Sequence, residues 1–194
     1  MSGFSTARQK MVDGQVRPSD VTDIRIIDAM LAVPREAFVP ENKRALAYLD
    51  LDLDLSEGGS AGRFLIKPAV LAKMLQAAEI GETDRVLVVG CTSGYAAAVI
   101  AKFAGQVRSA ADADGDTADA PFDVIVLCGA TEIVPEKLYR QLRDGGRLVG
   151  VFAMSQPARA TIVTRSHGDF GNRALFDAVA PVLPGMERLP AFIF

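Results

Sequence analysis

Val86-Leu87-Val88-Val89-Gly90-Cys91-Thr92-Ser93-Gly94-Tyr95 is the stretch that decides the fold, because four apolar residues end abruptly in a turn with two glycines. The apolar run has no polar alternation, which is typical of a strand buried on both faces of a parallel sheet. Residues 96–103 read Ala-Ala-Ala-Val-Ile-Ala-Lys-Phe and favour a helix. The order strand, glycine turn, helix predicts a nucleotide site at the carboxyl edge of a sheet.

The composition is that of a globular domain of 194 residues, with 49% hydrophobic and 23% charged residues. These fractions exclude a disordered chain. The net charge of −3 gives no general attraction to nucleic acid or to an anionic membrane, so we expect neither as a partner. There is no apolar run of about 20 residues and no signal-peptide pattern. Two cysteines are too few for a disulfide framework, and we therefore predict a cytoplasmic protein.

The rest of the chain alternates between strand-like and helix-like segments. This alternation predicts an α/β fold with a Rossmann-like, doubly wound sheet. Near the N-terminus, helices are expected within 5–17 and from Asp23 to Val33, the second with an inward face of Ile24, Ile27, Met30 and Leu31. The later segments are a strand over 107–111, a strand over 122–130, a helix over 133–142, a strand over 147–152 and a hairpin over 160–177. The tail, Leu189 to Phe194, is expected to pack down.

Three groups of residues allow a functional and a structural interpretation. Asp50, Asp52 and Asp54 alternate with leucines, which fits either a cation site or the solvated face of a half-buried strand, and we favour the second. Cys91 and Cys128 follow neighbouring strands, so they are either a redox pair or, as we favour, small packing residues. The single histidine, His167, falls in the predicted hairpin turn. We therefore predict no metal site and no histidine relay.

Several phrases along the chain resemble the protein-L-isoaspartate O-methyltransferase family. The N-terminal phrases are the most specific to this family. The phrases include Gln15-Val16-Arg17, Val33-Pro34-Arg35-Glu36, Phe38-Val39-Pro40, Ala47-Tyr48, the 86–95 turn, Pro121-Phe122-Asp123-Val124-Ile125 and Asp144-Gly145-Gly146-Arg147. The resemblance implies a seven-stranded methyltransferase sheet that ends in a reversed hairpin. It also implies the cofactor S-adenosylmethionine, the product S-adenosylhomocysteine and methylation of a carboxylate on damaged aspartyl residues.

The resemblance implies a site over the turn. Its cofactor-binding residues would be Gly90, Cys91, Ser93, Gly94 and Tyr95, with Asp112 as the ribose ligand. No side chain is needed as a covalent nucleophile, because a carboxylate acceptor is already nucleophilic, and alignment supplies most of the rate. We expect residues 1–66 to form an N-terminal helical and substrate-side segment and 67–194 the methyltransferase core. The expected partner is an isoaspartyl protein or peptide, or a small carboxylate; self-association stays open.

The chain departs from the family pattern in four places. Ile66 stands where the family has a hydroxyl residue, Val88 where it has an acid and Thr92 where it has a glycine. Only residues 109–120 separate two predicted parallel strands, where a complete fold needs two crossovers of about a dozen residues each. Either the fold lacks a strand and helices after residue 112, or the natural chain has further residues there. These departures motivate two alternatives: a catalytically silent binding or dimer-forming protein, and a methyltransferase for another acceptor.

Overall fold

Eight strands and five α-helices make up the computed structural model, which describes residues 3–56, 63–111 and 119–189. The helices are α1 (Gly3–Met11), α2 (Ile24–Ala32), α3 (Pro68–Ala78), α4 (Tyr95–Ile100) and α5 (Glu136–Arg140). The strands are β1 (Leu53–Asp54), β2 (Phe64–Leu65), β3 (Arg85–Val89), β4 (Gln106–Ala110), β5 (Phe122–Thr131), β6 (Leu142–Phe152), β7 (Arg159–Ser166) and β8 (Asp169–Asp177).

The last six strands form one sheet in the order β4-β3-β5-β6-β7-β8. β4, β3, β5 and β6 are parallel, whereas β7 and β8 are antiparallel and form the hairpin at the end. The predicted doubly wound sheet and its closing hairpin are thus confirmed. All ten residues of β5 are buried, because a central parallel strand has both faces covered.

Alternate residues of the central strands enter two separate cores. Val86 and Val88 of β3 belong to the larger core, together with residues of α1 to α4. Leu87 and Val89 belong to a smaller core on the other face, with Leu138 of α5 and a segment that follows β8. The period-2 alternation of side chains in a strand therefore places the ends of β3 and β5 between two covered faces.

Some sequence expectations need correction. Ile24 is 56% exposed and Ile26 is buried in its place, because the inward face of α2 consists of Ile26, Ile27, Ala29 and Met30. At about 100° per residue, Ile24 lies on the opposite face from Ile26. α4 and α5 are shorter than predicted, and β6 begins at Leu142, so that the glycine turn at 144–146 lies inside the strand. Leu189 is 86% exposed, although it was expected to pack down. The rest of that tail and the glycine cluster at 57–62 lie outside the described residues.

The sheet ends at β4, and the described residues between β4 and β5 contain no further strand. The two strands are parallel neighbours of β3 on opposite sides, so the chain passes from one side of β3 to the other between them. The strand order thus reverses at β3. No helix in the described part of the chain is long and apolar enough to cross a membrane.

Candidate functional site

The turn after β3 depends on two glycines. Gly90 has φ 76° and Gly94 has φ 81°, a left-handed conformation that side chains with a Cβ rarely adopt. The N–H of Gly90 donates to Ala110 O of β4 at 3.0 Å, and the N–H of Gly94 donates to Cys91 O at 3.0 Å. Gly94 then precedes α4 directly. The predicted order strand, glycine turn and helix is confirmed.

The other predicted cofactor-binding residues differ in their burial and in the direction of their side chains. Ser93 is half-buried, and its Oγ lies 3.3 Å from the N–H of Tyr95. The Tyr95 ring is fully buried, edge-on to Phe38 with ring centroids 5.7 Å apart. Asp112 lies outside the described residues, and the strand before it ends at Ala110. The turn therefore brings Gly90, Cys91, Ser93 and Gly94 together at the sheet edge, while the Tyr95 side chain points into the core.

Within residues 86–95, Val88 and Thr92 are the two residues that differ from the family pattern. Val88 is fully buried in the larger core, where an acidic side chain would be an unpaired charge. The Thr92 hydroxyl is buried, and no described residue is its hydrogen-bond partner. An orphaned hydroxyl within a glycine turn fits a polar ligand, because buried polar groups are normally paired.

Arg35 connects the turn to the segment before α3. Its side chain is 1% exposed; Nε donates to Ala47 O at 2.7 Å and Nη2 to Ile66 O at 2.8 Å. The guanidinium carbon lies 4.9 Å from the centre of the Tyr95 ring. Burial lowers the pKa of Arg35. In the sequence, only its place in the family phrase Val33-Pro34-Arg35-Glu36 indicates a role for this residue.

Beside Arg35, three polar side chains connect α1 to the chain beyond α2. Arg8 donates through Nε to the Tyr48 hydroxyl at 3.0 Å and forms an ion pair with Glu36 at 3.2 Å. The Tyr48 hydroxyl also donates to the Glu36 carboxylate. Burial raises the pKa of Tyr48, which keeps this hydroxyl a donor. The cluster connects α1 to the residues that follow Arg35.

The segment before α3 presents backbone and charge rather than a hydroxyl. Ile66 is 2% exposed and belongs to the larger core. The N–H of Lys67 donates to Asp52 Oδ1 at 2.9 Å, and burial raises the pKa of Asp52. In the aspartate-leucine alternation only Leu53–Asp54 forms a strand, with Leu53 buried and Asp54 exposed. The prediction of a half-buried strand is wrong for the residues before it, because Leu49 is 46% exposed and Asp52 is half-buried.

Cys91 lies in the turn after β3, whereas Cys128 lies inside β5 and not beyond it as predicted, and the two thiols share a hydrogen bond. This bond is the main cause that lowers the pKa of Cys91 to about 6, against burial, which raises it. The N–H of Ala96 also donates to Cys91 Sγ at 3.3 Å. The same bond and complete burial raise the pKa of Cys128 well above its usual range. Cys128 therefore keeps the shared proton when Cys91 ionises.

We expect the free energy of unfolding to rise with pH between about 6 and 9 because of Cys91. In this range the unfolded state binds more protons than the native state, so stability increases by at most ~1.4 kcal/mol per pH unit. The contribution is lost as the pH falls through about 6. Urea unfolding at pH 6, 7.5 and 9 in a reductant measures it. Cys91→Ser should remove this rise of the unfolding free energy with pH, and Cys128→Ala should reduce it. If the unfolding free energy rises equally with pH in the wild type and in Cys91→Ser, Cys91 is not its cause.

Gly129 and Leu183 also belong to this edge, although sequence reasoning missed both. A Cβ at Gly90 would lie 2.3 Å from Leu183 Cδ2, and one at Gly129 would lie 2.6 Å from the same atom. Leu183 itself is 5% exposed. The two glycines therefore leave a cradle over the ends of β3 and β5, and Leu183 fills it. Gly129 carried a weak signal in the sequence, as a small residue at a strand end.

Comparisons with known proteins agree with these features. The model of the family "Protein-L-isoaspartate(D-aspartate) O-methyltransferase (PCMT)" matches residues 6–112 and 106–172. A protein-L-isoaspartate O-methyltransferase of Roseiflexus sp. (strain RS-1) is 34% identical over an alignment of 193 residues, gaps included, that covers 86% of each chain. The alignment is almost as long as this chain of 194 residues but covers only 86% of it. Some residues of the relative are therefore aligned with gaps in this chain. The two family matches overlap at residues 106–112, so the part of the family pattern that this chain lacks lies at β4 or directly after it.

Two solved structures share the fold. One, a protein-L-isoaspartate O-methyltransferase, superposes with a TM-score of 0.78 at 21% identity, over 92% of this chain and 66% of its own. The other, a candidate enzyme of this kind from Plasmodium falciparum in complex with S-adenosyl-L-homocysteine, has a TM-score of 0.73 at 16% identity and covers 94% of this chain and 99% of its own. The match of the family model over most of the chain and the 34% identity to the Roseiflexus protein show that the chain belongs to the protein-L-isoaspartate(D-aspartate) O-methyltransferase family.

Proposed function

We propose that this protein transfers the methyl group of S-adenosylmethionine to the carboxylate of isoaspartyl residues in proteins and peptides. Family membership supports the reaction, and one observation in the structure supports the site. The left-handed glycines at 90 and 94 follow a buried strand at the point where the strand order reverses. In open α/β sheets, ligands bind at this point, outside the carboxyl ends of the strands.

We assign cofactor binding to Gly90, Cys91, Ser93, Gly94 and the Tyr95 backbone, with Asp112 as the ribose ligand. The orphaned Thr92 hydroxyl fits a polar group here, and the cradle over Gly90 and Gly129 fits a ligand once Leu183 has moved. When bound, S-adenosylmethionine supplies an electrophilic methyl group. Residues 67–194 would carry this site, and residues 1–66 would form the substrate side.

The protein's own contribution is alignment. Arg35 holds the carbonyl of Ile66 and the ring of Tyr95 together, so the substrate-side segment and the cofactor turn keep a fixed separation. A carboxylate acceptor is nucleophilic at neutral pH and needs no general base. Holding two reactants in register can supply several kcal/mol of the barrier, roughly 7–11 at the upper end.

A methyltransferase for another acceptor is the second candidate. The observation that favours it is Ile66, whose side chain lies in the larger core where the family has a hydroxyl. Lys67 follows it and contributes a positive charge next to Asp52. The positive charge of Lys67 would attract an acidic methyl acceptor other than an isoaspartyl carboxylate equally well.

Two measurements test the proposal. Titration calorimetry with S-adenosylhomocysteine should show binding, and no heat at millimolar ligand would overturn the enzyme assignment in favour of a silent binding protein. Transfer of a labelled methyl group to an isoaspartyl peptide should give a base-labile ester, while the same peptide with a normal aspartate should stay unlabelled. Cofactor binding without labelling of either peptide would favour the second candidate.

A further inference from the structure

The chain after β8 returns to the carboxyl edge of the sheet. Residues 180–186, here called the strap, run parallel to the end of β5, with Val182 beside Ala130. The N–H of Ala130 donates to Pro181 O at 2.7 Å, and the N–H of Leu183 donates to Ala130 O at 2.9 Å. A third bond runs from the N–H of Glu132 to Met186 O at 2.8 Å.

The strap takes the place next to β5 that a longer β3 would occupy. β3 pairs with β5 up to Val89 and Leu127, after which the chain turns away at Gly90. Ala130 lies three residues further along β5 and pairs with the strap instead. The strap therefore lies in the crevice where the strand order reverses.

Leu183 fills the part of this crevice that the two glycines leave free. The three atoms nearest to a Cβ at Gly90 all belong to the Leu183 side chain, at 2.3, 3.0 and 3.2 Å. At Gly129 the nearest atoms are Leu183 Cδ2 at 2.6 Å, Leu183 Cγ at 2.8 Å and Pro181 O at 2.8 Å. A ligand that uses the close backbone approach at Gly90 therefore needs the volume that the Leu183 side chain occupies.

We propose that Leu183 is a gate residue that competes with the nucleoside cofactor for the edge between Gly90 and Gly129, so that binding moves the strap away from β5. This inference rests on the proposed function, since the competing ligand is the methyltransferase cofactor. Leu183 then sets the affinity for the cofactor without contributing to the chemistry. Burial of a leucine side chain corresponds to a change of roughly 10- to 100-fold in an equilibrium constant.

The test compares the dissociation constant of S-adenosylhomocysteine for the wild type, Leu183→Ala and Leu138→Ala by calorimetry. Leu183→Ala should bind about tenfold or more tightly, because the competing side chain is gone. Leu138 is also buried in the smaller core but lies on α5, so its truncation removes a comparable amount of packing and should leave the constant unchanged. Equal constants for wild type and Leu183→Ala, or weaker binding by Leu183→Ala, would overturn the gate.

Hydrogen exchange on the wild type gives a second readout that requires no variant. The N–H of Leu183 is bonded to Ala130 O, so it should exchange faster when S-adenosylhomocysteine is added. Slower exchange would mean that the ligand binds with the strap in place, which overturns the gate and leaves the proposed function intact. Binding only by Leu183→Ala supports the gate but overturns the proposed function, since the wild type would then be a silent protein. No binding by either protein at millimolar ligand overturns both.

Discussion

Arg35→Ala is expected to lower the free energy of unfolding by about 3–5 kcal/mol. The side chain is 1% exposed, and its removal leaves the carbonyls of Ala47 and Ile66 without donors. Each orphaned buried acceptor costs about 1–3 kcal/mol, and the lost contact with the Tyr95 ring adds about 2. Relief of the desolvation of a buried cation offsets part of this sum.

Urea unfolding followed by circular dichroism suits this measurement, since the chain contains no tryptophan. Arg17→Ala is the matched control, because this arginine pairs with Asp13 at 3.3 Å on the surface and should cost little. Arg35→Lys keeps the charge but not the two-pronged donor, so it should fall between wild type and alanine. A loss below 1 kcal/mol for Arg35→Ala would show that the fork does not hold the two segments together.

Gly90→Ala is the second large change, with an expected loss of about 3 kcal/mol. An alanine must adopt φ 76°, which costs about 1–2 kcal/mol. Its Cβ also falls 2.3 Å from Leu183 Cδ2, so the leucine is expelled and loses part of the roughly 1.5–3 kcal/mol that its burial contributes.

A double-mutant cycle separates the two causes. In a Leu183→Ala background, Gly90→Ala should cost only the backbone strain of about 1–2 kcal/mol. Gly94→Ala is the matched control: its φ is 81°, but the nearest atoms are in the Phe38 ring at 3.9 Å. Its cost should therefore be the same with leucine or alanine at 183. An unchanged cost of Gly90→Ala in the two backgrounds would contradict the contact.

The backbone order of the fold could be predicted from the sequence, because local patterns decide it. The unbroken apolar runs at 86–89 and 124–127 favour buried strands, and a glycine directly after the first predicts a turn. The hairpin around His167 followed from its turn residues, and the structure gives that histidine φ 52°. Each of these features depends on a few neighbouring residues.

The packing around the site could not be predicted, because it depends on contacts between distant parts of the chain. Arg35 sits in a charged phrase that is typical of a surface connector, and only the carbonyls of Ala47 and Ile66 make its burial tolerable. Leu183 sits in an irregular stretch with two prolines, and no local pattern indicates that it meets Gly90, more than ninety positions earlier in the chain. The glycine turn could therefore be predicted, and the contacts of Arg35 and Leu183 could not.

The shortened connection after β4 has a consequence for the behaviour of the protein in concentrated solution. Among the described residues β4 is the outermost strand, so the N–H and C=O groups on its outer side are a template for a strand of another molecule. Three of its five residues are exposed, and they are polar: Gln106, Arg108 and Ser109. Arg108 of β4 also forms an ion pair, at 2.8 Å, with Asp119, which precedes β5. Exposed polar and charged side chains on an edge strand oppose its pairing with a strand of another molecule.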